Sequence, residues 1–230
     1  MNIHDVRMLI EEGEGFELEF KRKTSSPEKI AKTMCAFANT QGGILLFGVD
    51  DDGSLVGVES EKSEVDLIRQ AGEQFCDPPV SLHIQFVPYN HKDVIVVTVE
   101  ESDKKPHFVV RNGDEPKAFV RVNDNTVLAS REVIKVLRDE SSQKGLTLTI
   151  GENEKRLFAY FEGRQRITVK EFSELINVSH RRASRILTTL VRAGVIRIHT
   201  LEKTDYFTLA SPAEVSSHSR TAQSRMRQRH

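Results

Sequence analysis

The sequence predicts an α+β fold in two domains: mixed strands and helices in the first, and mainly helices in the second. Three observations lead to this expectation. The chain has 230 residues, enough for two cores of ordinary size. In its first part, strand-like and helix-like segments follow one another without the steady alternation that a parallel sheet requires. After about residue 150, apolar residues recur mainly at helical spacing.

The first predicted elements are a strand and a helix near the N-terminus. In residues 14–23, EGFELEFKRK, apolar and polar side chains alternate with the period of a half-buried strand. Ser26 is a suitable N-cap for the next segment, and Pro27 suits a first helical position. We expect Gly42 and Gly43 to end this helix.

A central strand follows the two glycines. Residues 44–49, ILLFGV, are apolar on both faces, which predicts burial on both sides. Residues 50–54, DDDGS, have the composition of a turn, and residues 55–58 would form its hairpin partner. The glycines lack a Cβ, so they either cap the helix and pack closely or admit a ligand phosphate. The sequence has no GxxxxGK[ST] motif, which disfavours a conventional P-loop.

Five further segments complete the first domain, which we assign to residues 1–140. The pattern predicts two helices and three strands in this part of the chain: helices over 61–75 and 130–140, and strands over 80–89, 93–100 and 118–122. Residues 141–151 are the predicted linker.

The second domain, residues 152–210, is predicted as three helices and a β-hairpin. The helices are expected over 153–163, 168–176 and 180–194, and the strands over 195–201 and 206–210. Thr168 and Glu171 are spaced as a capping box, Ser179 is the expected N-cap of the third helix, and Gly194 its end. This order resembles the winged helix-turn-helix domains of bacterial regulators. Residues 211–230 are predicted to be a disordered basic tail.

Charge is divided unevenly along the chain. Residues 151–230 contain 15 Lys and Arg against 8 Asp and Glu, a net of +7, whereas residues 1–150 contain 18 against 26, a net of −8. The formal charge of the whole chain, −1, conceals this difference. A basic C-terminal part suggests a polyanionic partner.

The third helix of the second domain is the expected recognition helix. Its apolar residues should face the domain core: Ala183, Ile186, Leu187, Leu190 and Val191. This leaves Arg181, Arg182, Arg185 and Thr188 outward, where arginine can bond to guanine in the major groove. Arg192, Arg197 and Lys203 could contact phosphates. The alternative is that these arginines form a solvated face of a protein-interaction module.

The first domain resembles the Schlafen AlbA-like domain through four motifs in the expected order: LEFKRK (18–23), AFANTQGG (36–43), ILLFGVDDDGSLVGV (44–58) and FVRVNDNT (119–126). The resemblance covers roughly residues 10–140. It implies a module catalogued both as DNA-binding and as a divergent ATP-binding domain. Similar bacterial proteins often carry a C-terminal helix-turn-helix, which matches the order predicted here.

Some Schlafen domains are endoribonucleases, and the resemblance implies three catalytic carboxylates at Glu14, Glu19 and Asp50. Asp51 is an alternative to Asp50, and Glu17 shares a strand face with Glu19. Glu19 and Asp50 would bind Mg²⁺ or Mn²⁺, which prefer oxygen ligands. Glu14 and Glu19 could share a metal only if the chain bends, for example near Gly15. A solvated strand edge and an ordinary turn explain the same acids without catalysis.

The sequence therefore predicts a nucleic-acid-binding protein, specifically a DNA-binding transcriptional regulator that acts as a homodimer. The alternatives are a metal-dependent ribonuclease acting on RNA, or nucleotide (ATP) binding by the first domain. No signal peptide or membrane span is recognisable, which predicts a cytoplasmic location. Cys35 and Cys76 are expected to be core thiols, and His107 a loop residue without a catalytic role.

Overall fold

The computed structural model describes residues 1–111, 113–141, 150–201 and 204–210. The chain forms two compact units, Met1–Ala129 and Ser130–His230. Among the described residues, no helix combines the length and the apolar content that crossing a bilayer requires.

The first unit is an α+β structure with two sheets. Its elements are α1 (Ile3–Glu12), β1 (Leu18–Lys21), α2 (Pro27–Asn39), β2 (Gly43–Phe47), α3 (Glu61–Gln74), β3 (Cys76–Asp77), β4 (Leu82–Tyr89), β5 (Lys92–Val99), β6 (Phe108–Val109), β7 (Lys117–Val122) and β8 (Asn125–Leu128). The first sheet has the order β1-β2-β5-β4, and the second has the order β3-β6-β7-β8. The first sheet is mixed, since β1 and β2 are parallel and the other pairs are antiparallel.

Strand β2 is the central strand that the sequence predicts. Leu45, Leu46 and Phe47 are each fully buried. Leu45 and Phe47 face a core shared with α2 and α3, whereas Leu46 faces a smaller core that includes Val6 of α1. Two buried faces explain why this segment is apolar throughout, as side chains alternate across a strand.

Helix α2 begins and ends as its sequence predicts. Ser26 accepts a hydrogen bond from Lys29 N at 3.3 Å, which caps the first turn. At the other end Gly42 has a φ of 80° and donates its N–H to Phe37 O at 2.9 Å. A Cβ on Gly42 would lie 2.7 Å from Val99 O. Gly42 therefore ends the helix and permits close backbone packing.

The two cysteines are buried core thiols, in agreement with the sequence prediction. Cys35 lies on α2 and Cys76 on β3, with a distance of 3.2 Å between their Sγ atoms. The hydrogen bond to Cys76, together with burial, raises the pKa of the Cys35 thiol far above its usual range. The Cys35 thiol therefore remains protonated at neutral pH.

Several elements of the first unit differ from the expectation. Helix α1 and strands β3, β6 and β8 were not predicted. The residues after the DDDGS turn form an isolated bridge between Val49 and Leu55 in place of a regular hairpin strand. Helix α1 had a local signal, since Asn2 and Asp5 form a capping box. The short strands have too few residues to show a period.

The second unit contains four helices and a two-stranded antiparallel sheet within the described residues. Its elements are α4 (Arg131–Ser141), α5 (Glu152–Gly163), α6 (Val169–Leu175), α7 (His180–Arg192), β9 (Ile196–His199) and β10 (Tyr206–Leu209). Ile167 also bridges to Phe207 of β10. The core is formed by fully buried apolar residues, including Leu157, Ile167, Phe172, Leu187 and Phe207.

Helices α6 and α7 begin at the predicted caps. Thr168 Oγ1 accepts a hydrogen bond from Glu171 N at 3.2 Å, and Glu171 Oε2 accepts one from Thr168 N at 2.8 Å. Thr168 N and Thr168 Oγ1 both donate to Glu171 Oε2, and these two bonds hold the pKa of the Glu171 carboxyl below its usual range. Ser179 caps α7 through Arg182 N at 3.3 Å. The helix ends at Arg192, and Gly194 follows with a φ of 69°.

The boundary between the two compact units lies before the domain boundary predicted at residue 140. The chain divides between Ala129 and Ser130, so α4 belongs to the second unit. The reason is a set of polar contacts with α7: Lys135 Nζ donates to Ser184 Oγ at 2.9 Å, and this hydroxyl donates to Glu132 Oε1 at 2.7 Å. Most of the predicted linker, residues 142–149, and the predicted tail lie outside the described residues.

Candidate nucleic-acid interface

Helix α7 presents an apolar face to its unit and an arginine-rich face outward. Ala183, Leu187 and Leu190 are fully buried. Arg181, Arg182 and Arg185 are exposed, as the helical spacing predicts. Three cationic side chains therefore lie within the first two turns, directly after the turn that follows α6.

The predicted outward position of Thr188 is wrong. Thr188 is 5% exposed, and its Oγ1 donates to Ser184 O at 2.7 Å. Helix α4 packs on this part of α7 and contacts Ser184, one turn before Thr188. A sequence pattern within α7 could not reveal this cover, because it comes from a helix some fifty residues earlier in the chain.

A cleft in the second unit, which we call the α4–α7 cleft, lies next to the arginines. It has a volume of about 270 Å³ and is lined by Lys135, Asp139, Arg181, Arg185, Thr188, Thr189 and Arg192. Arg192 Nε lies 3.4 Å from Asp139 Oδ2. Four cations thus surround one carboxylate. Lys135 was missed by the sequence reasoning, which treated α4 as part of the first domain.

The three residues predicted to contact phosphates lie in different settings. The side chain of Arg192 is 22% exposed and paired with Asp139. Arg197 is half-buried on β9, opposite Thr208 of β10. Lys203 lies outside the described residues. Only Arg192 therefore lies beside the exposed arginines of α7 in one described cleft.

In the first unit, Glu19 forms part of a buried ion-pair network. Its Oε2 lies 2.6 Å from Arg121 Nη1, and its Oε1 lies 2.6 Å from Lys21 Nζ. The Arg121 side chain is fully buried and also donates to Thr126 Oγ1 at 3.0 Å and to the carbonyl oxygens of Gly15 and Phe16. Arg121 therefore ties β7 to the segment that enters β1.

The other predicted acids are engaged separately. Glu14 Oε1 accepts Phe20 N at 2.7 Å, across a bend in which Gly15 N donates to Leu18 O. Asp50 Oδ2 lies 2.7 Å from Arg22 Nη1. The alternative residues Glu17 and Asp51 are exposed. The predicted bend is present, but it directs Glu14 to the backbone of β1.

This arrangement does not fit a divalent cation. In the described part of the chain, no group of three His, Cys, Asp or Glu side chains is placed to hold a metal ion. The oxygens of Glu19 face a lysine and an arginine, and Asp50 faces another arginine. Cations already occupy the positions in which these carboxylates would bind Mg²⁺ or Mn²⁺.

His107 lies in the loop before β6, as the sequence suggested, but it is buried. It is 2% exposed, and its ring lies 2.7 Å from both Pro78 O and Ser102 Oγ. A carbonyl oxygen only accepts, so Nδ1 carries the proton and Nε2 accepts from the serine. Burial lowers the pKa of His107, which keeps the ring neutral. The backbone N–H of His107 donates to Asn39 Oδ1 at 2.7 Å, which fixes the backbone at this position.

Comparison with known proteins agrees with the α+β architecture of the first unit. Residues 14–130 match the model of the family described as Schlafen, AlbA_2. The match covers about half of the chain and ends within one residue of the boundary between the units. The chain belongs to the Schlafen AlbA_2 family. This confirms the resemblance that the four motifs carry.

Two solved structures are similar to part of the chain. The DIP2311 protein of Corynebacterium diphtheriae is 19% identical, with a TM-score of 0.42; the match covers 56% of this chain and 25% of that protein. The N-terminal domain of a putative ATP-dependent DNA helicase RecG-related protein of Nitrosomonas europaea is 28% identical, with a TM-score of 0.40. That match covers 51% of this chain and 88% of that domain. The chain thus spans a quarter of the length of the diphtheria protein.

Proposed function

We propose that this protein is a DNA-binding transcriptional regulator whose second unit is a winged helix-turn-helix domain. In this proposal α7 enters the major groove of duplex DNA, and Arg181, Arg182 and Arg185 read base edges. The observation that carries it is the exposure of these three arginines at the start of α7. Membership of the Schlafen AlbA_2 family supports an association with nucleic acid.

The order of elements in the second unit supports this assignment. Helix α6 is followed by a short turn and by α7, and the antiparallel strands β9 and β10 come next. In helix-turn-helix proteins the N-terminal residues of the second helix contact the bases. Thr188 is left out of the base-reading set because it is buried. Arg192 is assigned a phosphate contact.

We further propose that two copies of the chain bind one site. Regulators of this type bind half-sites about one helical turn of DNA apart, and their dimers match the symmetry of the operator. The first unit, which carries the Schlafen AlbA_2 domain, would hold the two copies together. Sedimentation of the full chain, with and without its duplex, measures how many copies of the chain bind one duplex. A single copy on a duplex with two half-sites would contradict it.

The test of DNA binding begins with selection of duplexes from a randomised pool by the full chain. The selected duplex is then titrated by fluorescence anisotropy against the wild type and the triple variant Arg181→Ala/Arg182→Ala/Arg185→Ala. A bidentate arginine–guanine pair gives about 1–3 kcal/mol of discrimination, so we expect the triple variant to lose at least about 100-fold in specific affinity.

The matched control removes three positive charges elsewhere in the same unit. Lys155, Arg156 and Arg164 are exposed and lie on or next to α5. The variant Lys155→Ala/Arg156→Ala/Arg164→Ala should retain sequence preference and lose only a few-fold in affinity. Equal losses in the two variants would show that net charge alone drives binding, and failure to enrich any duplex would remove the proposal.

A further inference from the structure

The α4–α7 cleft is a second feature of the basic face, distinct from the exposed ends of the arginines. Along α7, Arg181, Arg185 and Arg192 are spaced by four and seven residues, which places them on one helix face. Helix α4 adds Lys135 and Asp139 one turn apart. The cleft therefore collects its cations from two helices.

The positive charge in this cleft is only partly compensated. Asp139 lies 3.4 Å from Arg192. Lys135 donates to Ser184 Oγ, which leaves two of the three ammonium N–H groups for a ligand. Arg181 and Arg185 form no ion pair with other residues in the described parts of the chain. Cations around one cleft repel one another, and a bound anion would reduce this repulsion.

The hydroxyl groups of the cleft favour a ligand that accepts hydrogen bonds from cations. Thr188 Oγ1 donates to Ser184 O at 2.7 Å, and Thr189 Oγ1 donates to Arg185 O at 2.9 Å. Their protons are therefore used within α7, and the donors that remain are cationic. A phosphate group has several charged oxygen acceptors and is the usual partner of clustered arginine and lysine.

We propose that the α4–α7 cleft binds a phosphate group through Lys135, Arg181 and Arg185. A volume of about 270 Å³ has room for one or two phosphate groups and lies near the lower limit for small-molecule sites. The phosphate comes either from a soluble phosphorylated compound or from the DNA backbone. A soluble compound would compete with DNA for the two arginines. A backbone phosphate would instead engage Arg181 and Arg185 together with Lys135, and base reading would then rest on Arg182, which does not line the cleft. Only the DNA source rests on the proposed function.

The first arm of the test uses inorganic pyrophosphate without DNA. Calorimetric titration of the full chain at constant ionic strength compares the wild type with Lys135→Gln and Arg185→Gln. Glutamine at residue 135 can still donate to Ser184, so the contact between α4 and α7 is kept. The control is Lys155→Gln, a charge removal on α5. Hydrogen bonds to charged groups predict a loss of about tenfold or more in the two cleft variants and little change in the control.

The second arm measures DNA affinity as a function of salt concentration. If a backbone phosphate occupies the cleft, Lys135→Gln should reduce the slope of log K against log salt by about 0.9, since one phosphate contact is lost. Lys155→Gln should leave the slope unchanged. Circular dichroism melts verify that each variant is folded. If Lys135→Gln is unstable, the pyrophosphate titration of Arg185→Gln, a change at an exposed position, decides the test.

Each outcome has a defined meaning. Saturable pyrophosphate binding that depends on Lys135 supports the cleft with a soluble source. A changed salt slope without pyrophosphate binding supports it with DNA as the source. If neither occurs, the inference is overturned, and sequence-specific DNA binding that depends on Arg182 would still support the proposed function. Pyrophosphate binding without any DNA binding would support the cleft and overturn the proposed function.

Discussion

Replacement of Arg121 by methionine tests whether the acids near β1 are held for structural reasons. Arg121 is fully buried and donates to Glu19, Thr126 and two backbone carbonyl oxygens. Its guanidinium also lies 5.0 Å from the centre of the Phe37 ring. Methionine fills similar volume but provides no donor. The variant leaves Glu19 with Lys21 as its partner and three oxygen acceptors without this donor.

The expected loss is about 3–5 kcal/mol of stability in the first unit, since the variant breaks a buried ion pair and leaves part-buried oxygen acceptors without their donor. The control is Arg22→Met. Arg22 also pairs with a carboxylate, Asp50, but its side chain is 62% exposed. Exposed ion pairs contribute about 0–1 kcal/mol. The two arginine variants should therefore differ severalfold in their effect.

The assay is hydrogen exchange read by mass spectrometry on peptides covering residues 14–21 and 117–128. A chain with two units has no single free energy of unfolding, so a local measurement is required. If Arg121→Met lowers the free energy of opening no more than Arg22→Met, the buried network does not hold this region. The Glu19→Gln variant should cost less in the Arg121→Met background than in the wild type. This result matters for any test of catalysis, because loss of activity in Glu19→Gln could reflect lost structure.

Three further predictions concern local stability. Burial lowers the pKa of His107, so the unfolded state binds a proton at this ring more readily than the folded state does. The stability of the first unit should be retained above about pH 6.5 and fall as the pH drops below that value, and His107→Gln should flatten this dependence in urea unfolding followed by peptide-resolved hydrogen exchange. Gly42→Ala should cost about 2–4 kcal/mol by the same measurement, because of its positive φ and the contact with Val99 O, whereas Gly13→Ala, with a φ of 78° and open space, should cost about 1–2. Thr168→Ala should cost about 1 kcal/mol of second-unit stability in peptide-resolved exchange, and Thr168→Ser close to none. Equal effects within either matched pair, or an unchanged pH profile in His107→Gln, would contradict the assigned cause.

Local chemistry made much of the fold predictable from the sequence. Each of the capping residues Ser26, Thr168 and Ser179 accepts a hydrogen bond from a backbone N–H only three residues later. Their roles could therefore be predicted without tertiary information. The apolar residues of β2 likewise predicted a strand buried on both faces. The exposed arginines of α7 followed from helical spacing alone.

The candidate sites depended on contacts between distant segments. The family resemblance implied that Glu19 binds a metal, but Arg121, about a hundred residues later, lies beside its carboxylate. Helical spacing predicts that Thr188 is exposed, but α4 covers that face of α7. The α4–α7 cleft could not be predicted from the sequence either, because the sequence analysis assigned Lys135 to the other domain.

The sequence by itself determined the family, the division of charge, the central strand of the first unit and the arginine-rich start of α7, because each is carried by residues close together in the chain. The tertiary structure alone decided which acids are neutralised, that Thr188 is buried and where a cleft opens. Burial and pairing are properties of neighbours in space, and residues such as Arg121 and Lys135 find their partners only when the units fold.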